Sequence, residues 1–322
     1  MRKGISSVQR TMQLLIGGNG YYGRNYQYFL SAKNIPFKIV DRVRLTKDDI
    51  VCDFAKISND YSNVEEDFKL FSELKDKVSA IVNFAAVSFV DYSIEHPDET
   101  IENNYSCCVN GLKLANVLNC DNYIYISTDE VNVDKPVAEL SPYVISKRNC
   151  EKFLKNCEAQ ALRRENDEYS VDIKIMRPVN LMGTMEPHFE TLNQTNPCLL
   201  KKIADVISSG QGKVQIHGSG NQRRMFMDMR IACEVLLLFV EDSFEEKILD
   251  ITEYPEFRTQ NLKIKDIVMN LQRKYGFPVE YVEDPRGIYQ DDNYLTTLTV
   301  REYNGSIQLI KKCLKSMMPK LK

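Results

Sequence analysis

Three groups of residues in this chain have the types and spacing of a reactive site. The apolar run Tyr123-Ile124-Tyr125-Ile126 stops at Ser127-Thr128-Asp129-Glu130, two hydroxyls followed by two adjacent carboxylates. A strand that ends this way either meets solvent or presents an acid and a base side by side. Tyr143 and Lys147, in Tyr143-Val144-Ile145-Ser146-Lys147, lie one helical turn apart on one face. A free tyrosine has a pKa of about 10. A neighbouring ammonium favours its phenolate, which makes Tyr143 a usable base towards a substrate hydroxyl.

The third group is Gly17-Gly18-Asn19-Gly20-Tyr21-Tyr22-Gly23, directly after Met12-Gln13-Leu14-Leu15-Ile16. Bare backbone there lets a pyrophosphate approach a helix N-terminus, where N–H groups and the dipole favour negative charge. Asp41 ends the next expected strand, eighteen residues beyond Gly23. A carboxylate there accepts hydrogen bonds from ribose hydroxyls and repels a 2′-phosphate, which favours NAD over NADP. Arg42 argues the other way, because a neighbouring guanidinium accommodates that phosphate. Asp53 stands where a further short strand would end, as an adenine contact or as part of a plain surface turn.

These residues need a scaffold, and the chain alternates short apolar runs with longer amphipathic ones, the signature of βαβ units. Strands are expected at Met12–Ile16, Phe37–Val40, Ala80–Phe84, Tyr123–Ser127, Ile173–Met176 and Lys247–Ile251. Helices are expected over Gly20–Ser31, Val64–Leu74, Asp98–Leu118, Pro142–Ala161 and Ile231–Glu241. The fold class is therefore α/β: a Rossmann-type doubly wound parallel sheet with a smaller, discontinuous substrate-binding lobe. The NAD-binding domain would comprise residues 1–178 plus 229–252, and the smaller substrate lobe 179–228 plus 253–322. The hairpin-like KVQIHGSGNQ, the helical stretch Lys263–Tyr275 and the run Ser306–Met318 fall to the lobe. The polar segment Arg163–Ser170 reads as a surface connection.

Composition narrows the classes further. With 322 residues, 43% hydrophobic, there is ample material for a core, and a net charge of −3 makes no electrostatic case for nucleic acid. MRKGISSVQR lacks the apolar stretch of a signal peptide, and the run Val235–Val240 is too short to cross a bilayer. Nine cysteines without a CxxC pair read as reduced thiols in a cytoplasmic protein. His96, His188 and His217 stand apart from one another, so no metal site is expected. The basic IKKCLKSMMPKLK reads as a solvated terminal helix.

Together, GGNGYYG, VNFAAVSFVDYSIEHPDETIENN, YISTDEV and SPYVISK resemble the extended short-chain dehydrogenase/reductase superfamily. Within it the chain is similar to the nucleotide-sugar 4,6-dehydratases, with interruptions from about residue 12 to 240. The resemblance implies bound NAD against Gly17, Gly20, Tyr21, Tyr22, Gly23, Asp41, Asp53, Phe84, Ala85 and Ala86, with Tyr143 and Lys147 at the nicotinamide end. It implies that Tyr143 takes the C4 hydroxyl proton while C4 gives up hydride, that Glu130 removes the C5 proton, and that protonated Asp129 releases the C6 hydroxyl as water. Hydride then returns to C6. Thr128 would hold O4, and Lys147 would hold the nicotinamide ribose and lower the Tyr143 pKa. Ser88 and Ser127 are second contacts, while Asn104 fits a structural role as well as a catalytic one. Arg177-Pro178-Val179-Asn180 and GSGNQRRMF imply diphosphate contacts from Asn180 and Arg224, with Arg223 as the adjacent rival. Dimerisation through the helices after Asp98 and Pro142 is implied as well.

The pattern also departs from that family. Asn132 replaces the Tyr of STDEVYG, Val87 and Phe89 stand where glucose-type members carry Glu and His, and several extra residues follow Gly183. Fewer polar groups suit an acetamido substituent, which tilts the substrate towards UDP-N-acetylglucosamine over UDP- or dTDP-glucose. Retention and inversion at C5 both stay open. The competing readings are a C4 epimerase or 4-keto reductase, for which Glu130 has no use, and a non-catalytic protein that binds NAD and a sugar nucleotide.

Overall fold

The computed structural model describes residues 11–60, 62–161, 171–185, 199–254, 257 and 259–283. In chain order the elements are β1 Met12–Ile16, α1 Tyr21–Ala32, β2 Phe37–Asp41, β3 Ile50–Val51, α2 Val64–Asp67, β4 Val78–Asn83, α3 Val90–Glu95, α4 Pro97–Val117 and β5 Asn122–Ile126. They continue with α5 Pro142–Ala161, β6 Asp172–Arg177, β7 Asn180–Met182, α6 Leu199–Ser209, β8 Val214–His217, β9 Arg223–Asp228 and α7 Met229–Val240. The last are β10 Ile248–Asp250, β11 Gln260–Lys263, α8 Ile264–Tyr275 and β12 Val279–Val282.

In the centres of β1, β4 and β5 both faces are apolar: Leu14, Leu15, Ile81, Val82, Ile124 and Tyr125 are fully buried. Strands without polar alternation must be covered on both sides, as a sheet sandwiched between helices is. Seven strands form that sheet in the order β10-β6-β5-β4-β1-β2-β3. Pairing is parallel from β6 through β3. This is the doubly wound sheet the sequence predicts. The strand order reverses between β1 and β4, and ligands of such sheets bind at the carboxyl ends of the strands there.

The chain divides into two units. The first takes its residues from 1–131, 141–177 and 237–249, and the second from 132–140, 178–236 and 250–322. Within the second unit β9 pairs in parallel with β7 and antiparallel with β11, while β8 pairs in parallel with β12. Helix α8 closes on Gly276, whose φ of 71° is the left-handed cap conformation that glycine adopts without penalty.

Two expectations are corrected. The helix expected over Val64–Leu74 breaks after Asp67 and continues as a 3-10 helix over Lys69–Leu74. Phe68 and Phe71 both pack on Phe54, with ring centroids 6.1–6.2 Å apart. The tighter turn aligns positions i and i+3 and so aims both rings at one partner. The stretch KVQIHGSGNQ is not a hairpin, because β8 and β9 join different sheets. Gly218 and Gly220, with φ of 68° and 72°, redirect the chain between them. The segments 163–170, 186–196 and Ser306–Met318, and His188, lie outside the described residues.

Candidate active site

The loop after β1 is shaped by its glycines. Gly17 has φ of 69°, and a Cβ there would stand 2.6 Å from the Ala85 backbone. A Cβ on Gly23 would stand 2.7 Å from the Gly18 Cα, so α1 could not pack on the loop. Gly20 is different. It caps α1 with an ordinary φ of −74°, and a Cβ would meet only the Gly17 carbonyl oxygen at 3.4 Å. Packing within the protein therefore does not require glycine at position 20. A ligand approaching this helix N-terminus would, because a side chain would screen the N–H groups of the first helical turn.

Phe84, Ala85 and Ala86 follow β4 alongside this loop. The Phe84 N–H donates to the Ile16 carbonyl at 2.8 Å, its ring meets Tyr22 edge-on at 5.2 Å, and the Ala85 N–H donates to Asn83 Oδ1 at 3.0 Å. Tyr21 and Tyr22 open α1. At the end of β2, Asp41 accepts the N–H groups of Asn19 and Val43, each at 3.0 Å. Burial raises its pKa above the ordinary carboxylate value, and these backbone donors partly offset that. Asp53 accepts the Ala55 N–H at 3.2 Å and pairs with Lys56. The bare glycine edge, with a carboxylate at the end of the neighbouring strand, fits a dinucleotide.

The second cluster forms where β5 ends. The Ser127 N–H donates to the Met176 carbonyl at 2.7 Å, and the chain then turns through the 3-10 helix Asp129–Asn132. Thr128 and Asp129 are buried and Glu130 is half-buried. Tyr143, half-buried on α5, faces all three. Burial pushes its phenol above the usual value, the Glu130 and Asp129 charges add to this, and a hydrogen bond with Thr128 opposes it. The structure thus brings Thr128, Asp129, Glu130 and Tyr143 together.

Lys147 lies one helical turn beyond Tyr143. Its buried ammonium donates to the Ile126 carbonyl at 2.7 Å and lies 4.6 Å from the Tyr125 ring centroid and 5.9 Å from that of Tyr143. The cation anchors the strand end beneath the tyrosine ring.

The reading of Ser127 as a substrate contact is corrected. Its hydroxyl donates to Glu151 Oε1 at 2.7 Å, while Glu151 also accepts both Arg177 Nε and Nη2, at 2.9 and 2.6 Å, and Lys155 at 3.0 Å. Burial pushes the Glu151 pKa up, but these donors outweigh it and hold the group below the usual carboxylate range. Glu151 was missed in the sequence, although Tyr143, Lys147 and Glu151 form one i, i+4, i+8 stripe on α5. Asn104, fully buried, is structural. Its side chain exchanges hydrogen bonds with the Val87 backbone at 2.7 and 3.0 Å and donates to Ser146 at 2.8 Å. It thereby ties the turn after β4 to the helix that carries Tyr143.

Ser88 is exposed. Asn180 and Arg224 belong to the second unit. There the Asn180 amide donates to the Met225 carbonyl at 3.1 Å, and Arg224 donates to the Arg223 carbonyl at 2.9 Å. Both lie in the sheet of β7, β9 and β11. Asn132 donates to the Asp250 carboxylate at 2.5 Å.

Comparison with known proteins places this geometry among relatives. A family model, described as the NAD dependent epimerase/dehydratase family, matches residues 13–252. The low-salt glycan biosynthesis protein Agl12 of Haloferax volcanii is 23% identical over 300 residues, covering 89% of this chain and 90% of its own. Among solved structures, the NAD-dependent NDP-hexosamine 5,6-dehydratase TunA, involved in tunicamycin biosynthesis, superposes with a TM-score of 0.67 at 18% identity, over 96% of this chain and 97% of its own. The UDP-N-acetylglucosamine 4-epimerase of Methanobrevibacter ruminantium M1, in complex with UDP-N-acetylmuramic acid, gives 0.68 at 17%, over 98% and 100%. At these identities the two structures speak to the fold.

Proposed function

This chain belongs to the NAD-dependent epimerase/dehydratase family, and from that premise we propose that it is a hydro-lyase that carries out 4,6-dehydration of a nucleotide-diphosphate hexose, giving a 4-keto-6-deoxy sugar. The observation that carries the proposal is the grouping of Thr128, Asp129 and Glu130 around the Tyr143 phenol. An epimerase acting at C4 needs a hydroxyl base such as Tyr143. It has no step for two further carboxylates beside it.

Each residue has a task set by its surroundings. Tyr143 accepts the C4 hydroxyl proton, and Thr128, bonded to the same phenol, steadies the C4 oxygen. Once C4 is a ketone its neighbour C5 is acidic, and Glu130 removes that proton. Asp129 is the more deeply buried of the two carboxylates, and two like charges side by side raise one pKa. Asp129 is therefore the partner that holds a proton, which it gives to the departing C6 hydroxyl. The chemistry that bound NAD supplies is reversible hydride transfer, out of C4 and back to C6. Lys147 holds the strand end under Tyr143, and Asp41 is assigned to the adenosine ribose. The diphosphate is assigned to Asn180 and Arg224 on the resemblance alone.

Val87 and Phe89, half-buried and apolar, support an acetamido over a hydroxyl substituent at C2, so UDP-N-acetylglucosamine is the favoured substrate. The test is to incubate the purified protein with UDP-N-acetylglucosamine, UDP-glucose and dTDP-glucose separately, without added reductant. Mass spectrometry should find loss of one water, and proton NMR in deuterated water a C6 methyl whose C5 neighbour reports retention or inversion. An exocyclic C5–C6 alkene would make it a 5,6-dehydratase. C4 epimerisation without loss of water would overturn the proposal.

A further inference from the structure

We propose that Asn19 and Asp49 form a polar latch that positions Asp41, and that this latch sets the preference for an adenosine ribose bearing a free 2′-hydroxyl. The inference rests on reading the glycine loop as the dinucleotide site and goes beyond it by naming what holds the selective carboxylate in place.

Asn19 occupies a position of the glycine motif that needs no particular side chain, yet it is buried, and its side chain reaches two points of the next loop while its backbone reaches Asp41. Its backbone N–H donates to Asp41 Oδ2 at 3.0 Å, and its side-chain amide donates to the Val43 carbonyl at 2.8 Å and to Asp49 Oδ2 at 2.9 Å. Asp49, only 4% exposed, also accepts the N–H groups of Leu45 and Thr46 at 2.8 and 3.0 Å, together with the Thr46 hydroxyl. Arg24 on α1 is the cation electrostatically coupled to it.

The segment between these anchors has no apolar support. Residues 42 to 48 are all exposed, Val43 and Leu45 among them. Interior hydrogen bonds must therefore set its course. The Val43 N–H that orients Asp41 Oδ1 lies in the residue whose carbonyl Asn19 holds. Cutting the latch frees Asp41 to turn from the ribose hydroxyls. The same release frees Arg42 and Arg44, which lie on this loop, to meet a 2′-phosphate. Loss of the latch should thus weaken NAD and spare NADP.

The test is calorimetric titration of the full chain, freed of copurified nucleotide, with NAD, NADP and nicotinamide mononucleotide. Asn19→Ala should raise the Kd for NAD about tenfold, the scale of one lost charge-assisted hydrogen bond, without weakening NADP. Nicotinamide mononucleotide lacks the adenosine ribose, so its affinity should hold, which also reports that the variant is folded. Asp49→Ala should match Asn19→Ala, and the double variant should be no worse than either, because both cut one unit. If Asp49→Ala unfolds, Asp49→Asn keeps the volume and should shift selectivity in the same direction. Equal losses on NAD and NADP, or additive losses in the double variant, would overturn the latch alone. A wild-type chain that binds no NAD would overturn the dinucleotide reading as well.

Discussion

In the proposed reaction Glu130 and Asp129, adjacent in the chain yet unequal in burial, take opposite roles. A carboxylate that stays half-solvated keeps its charge and serves as a base, while its buried neighbour holds a proton. Glu130→Gln should therefore stop water loss, by about 10²–10⁴-fold, while substrate still generates the near-ultraviolet absorbance of reduced nicotinamide. Normal dehydration by this variant would remove Glu130 from the chemistry. Tyr143→Phe should abolish both signals, because oxidation at C4 precedes elimination. These residue types were legible in the sequence because an acid–base pair at a strand end and a tyrosine–lysine pair one turn apart are local patterns. Their hydrogen-bond partners were not. Ser127 was read as a substrate contact and is bound to Glu151, 24 residues away. The Lys147 cation also bonds the Ile126 carbonyl, 21 residues away.

The glycine loop and α1 act as one element, and its three motif glycines have different reasons to be glycine. Gly23→Ala forces a Cβ onto the Gly18 backbone and should cost about 1–3 kcal/mol in urea unfolding. Gly20→Ala brings its Cβ only into ordinary contact with the Gly17 carbonyl oxygen and should cost under about 1 kcal/mol, yet weaken NAD strongly in the same titration. If the two variants behaved alike in both measurements, the steric account of this loop would fail. The positions of β1, β4 and β5 were readable because a strand buried on both faces must be apolar throughout. The break after Asp67 and the separate partners of β8 and β9 were not readable. Both depend on where distant rings and strands lie, which no local window contains.

Over the molecule, charge burial ties stability to pH. Glu151 is 4% exposed and held by Arg177, Lys155 and Ser127 below its ordinary pKa of 4.5. A carboxylate with a depressed folded value contributes stability that is complete above its unfolded pKa and is lost as pH falls through the folded one. Wild-type protein should lose this contribution on acidification below about pH 4.5. Glu151→Gln should be less stable near neutrality and show a shallower acid limb in pH-dependent thermal unfolding. Glu151→Ala, which strands a largely buried guanidinium, should cost about 3–5 kcal/mol. An unchanged acid limb would show that this network carries no linkage. Residue order alone determined the class of fold and pointed to the residues proposed for the dinucleotide loop and the reaction, because apolar period, glycine spacing and functional-group type are local properties. Tertiary structure decided how those groups are held: Asn104 on Val87 and Ser146, Glu151 on Ser127 and Arg177, Asn19 on Asp49. Each link joins residues brought together only when the sheet and its helices pack, and a buried polar group takes whichever partner that packing delivers.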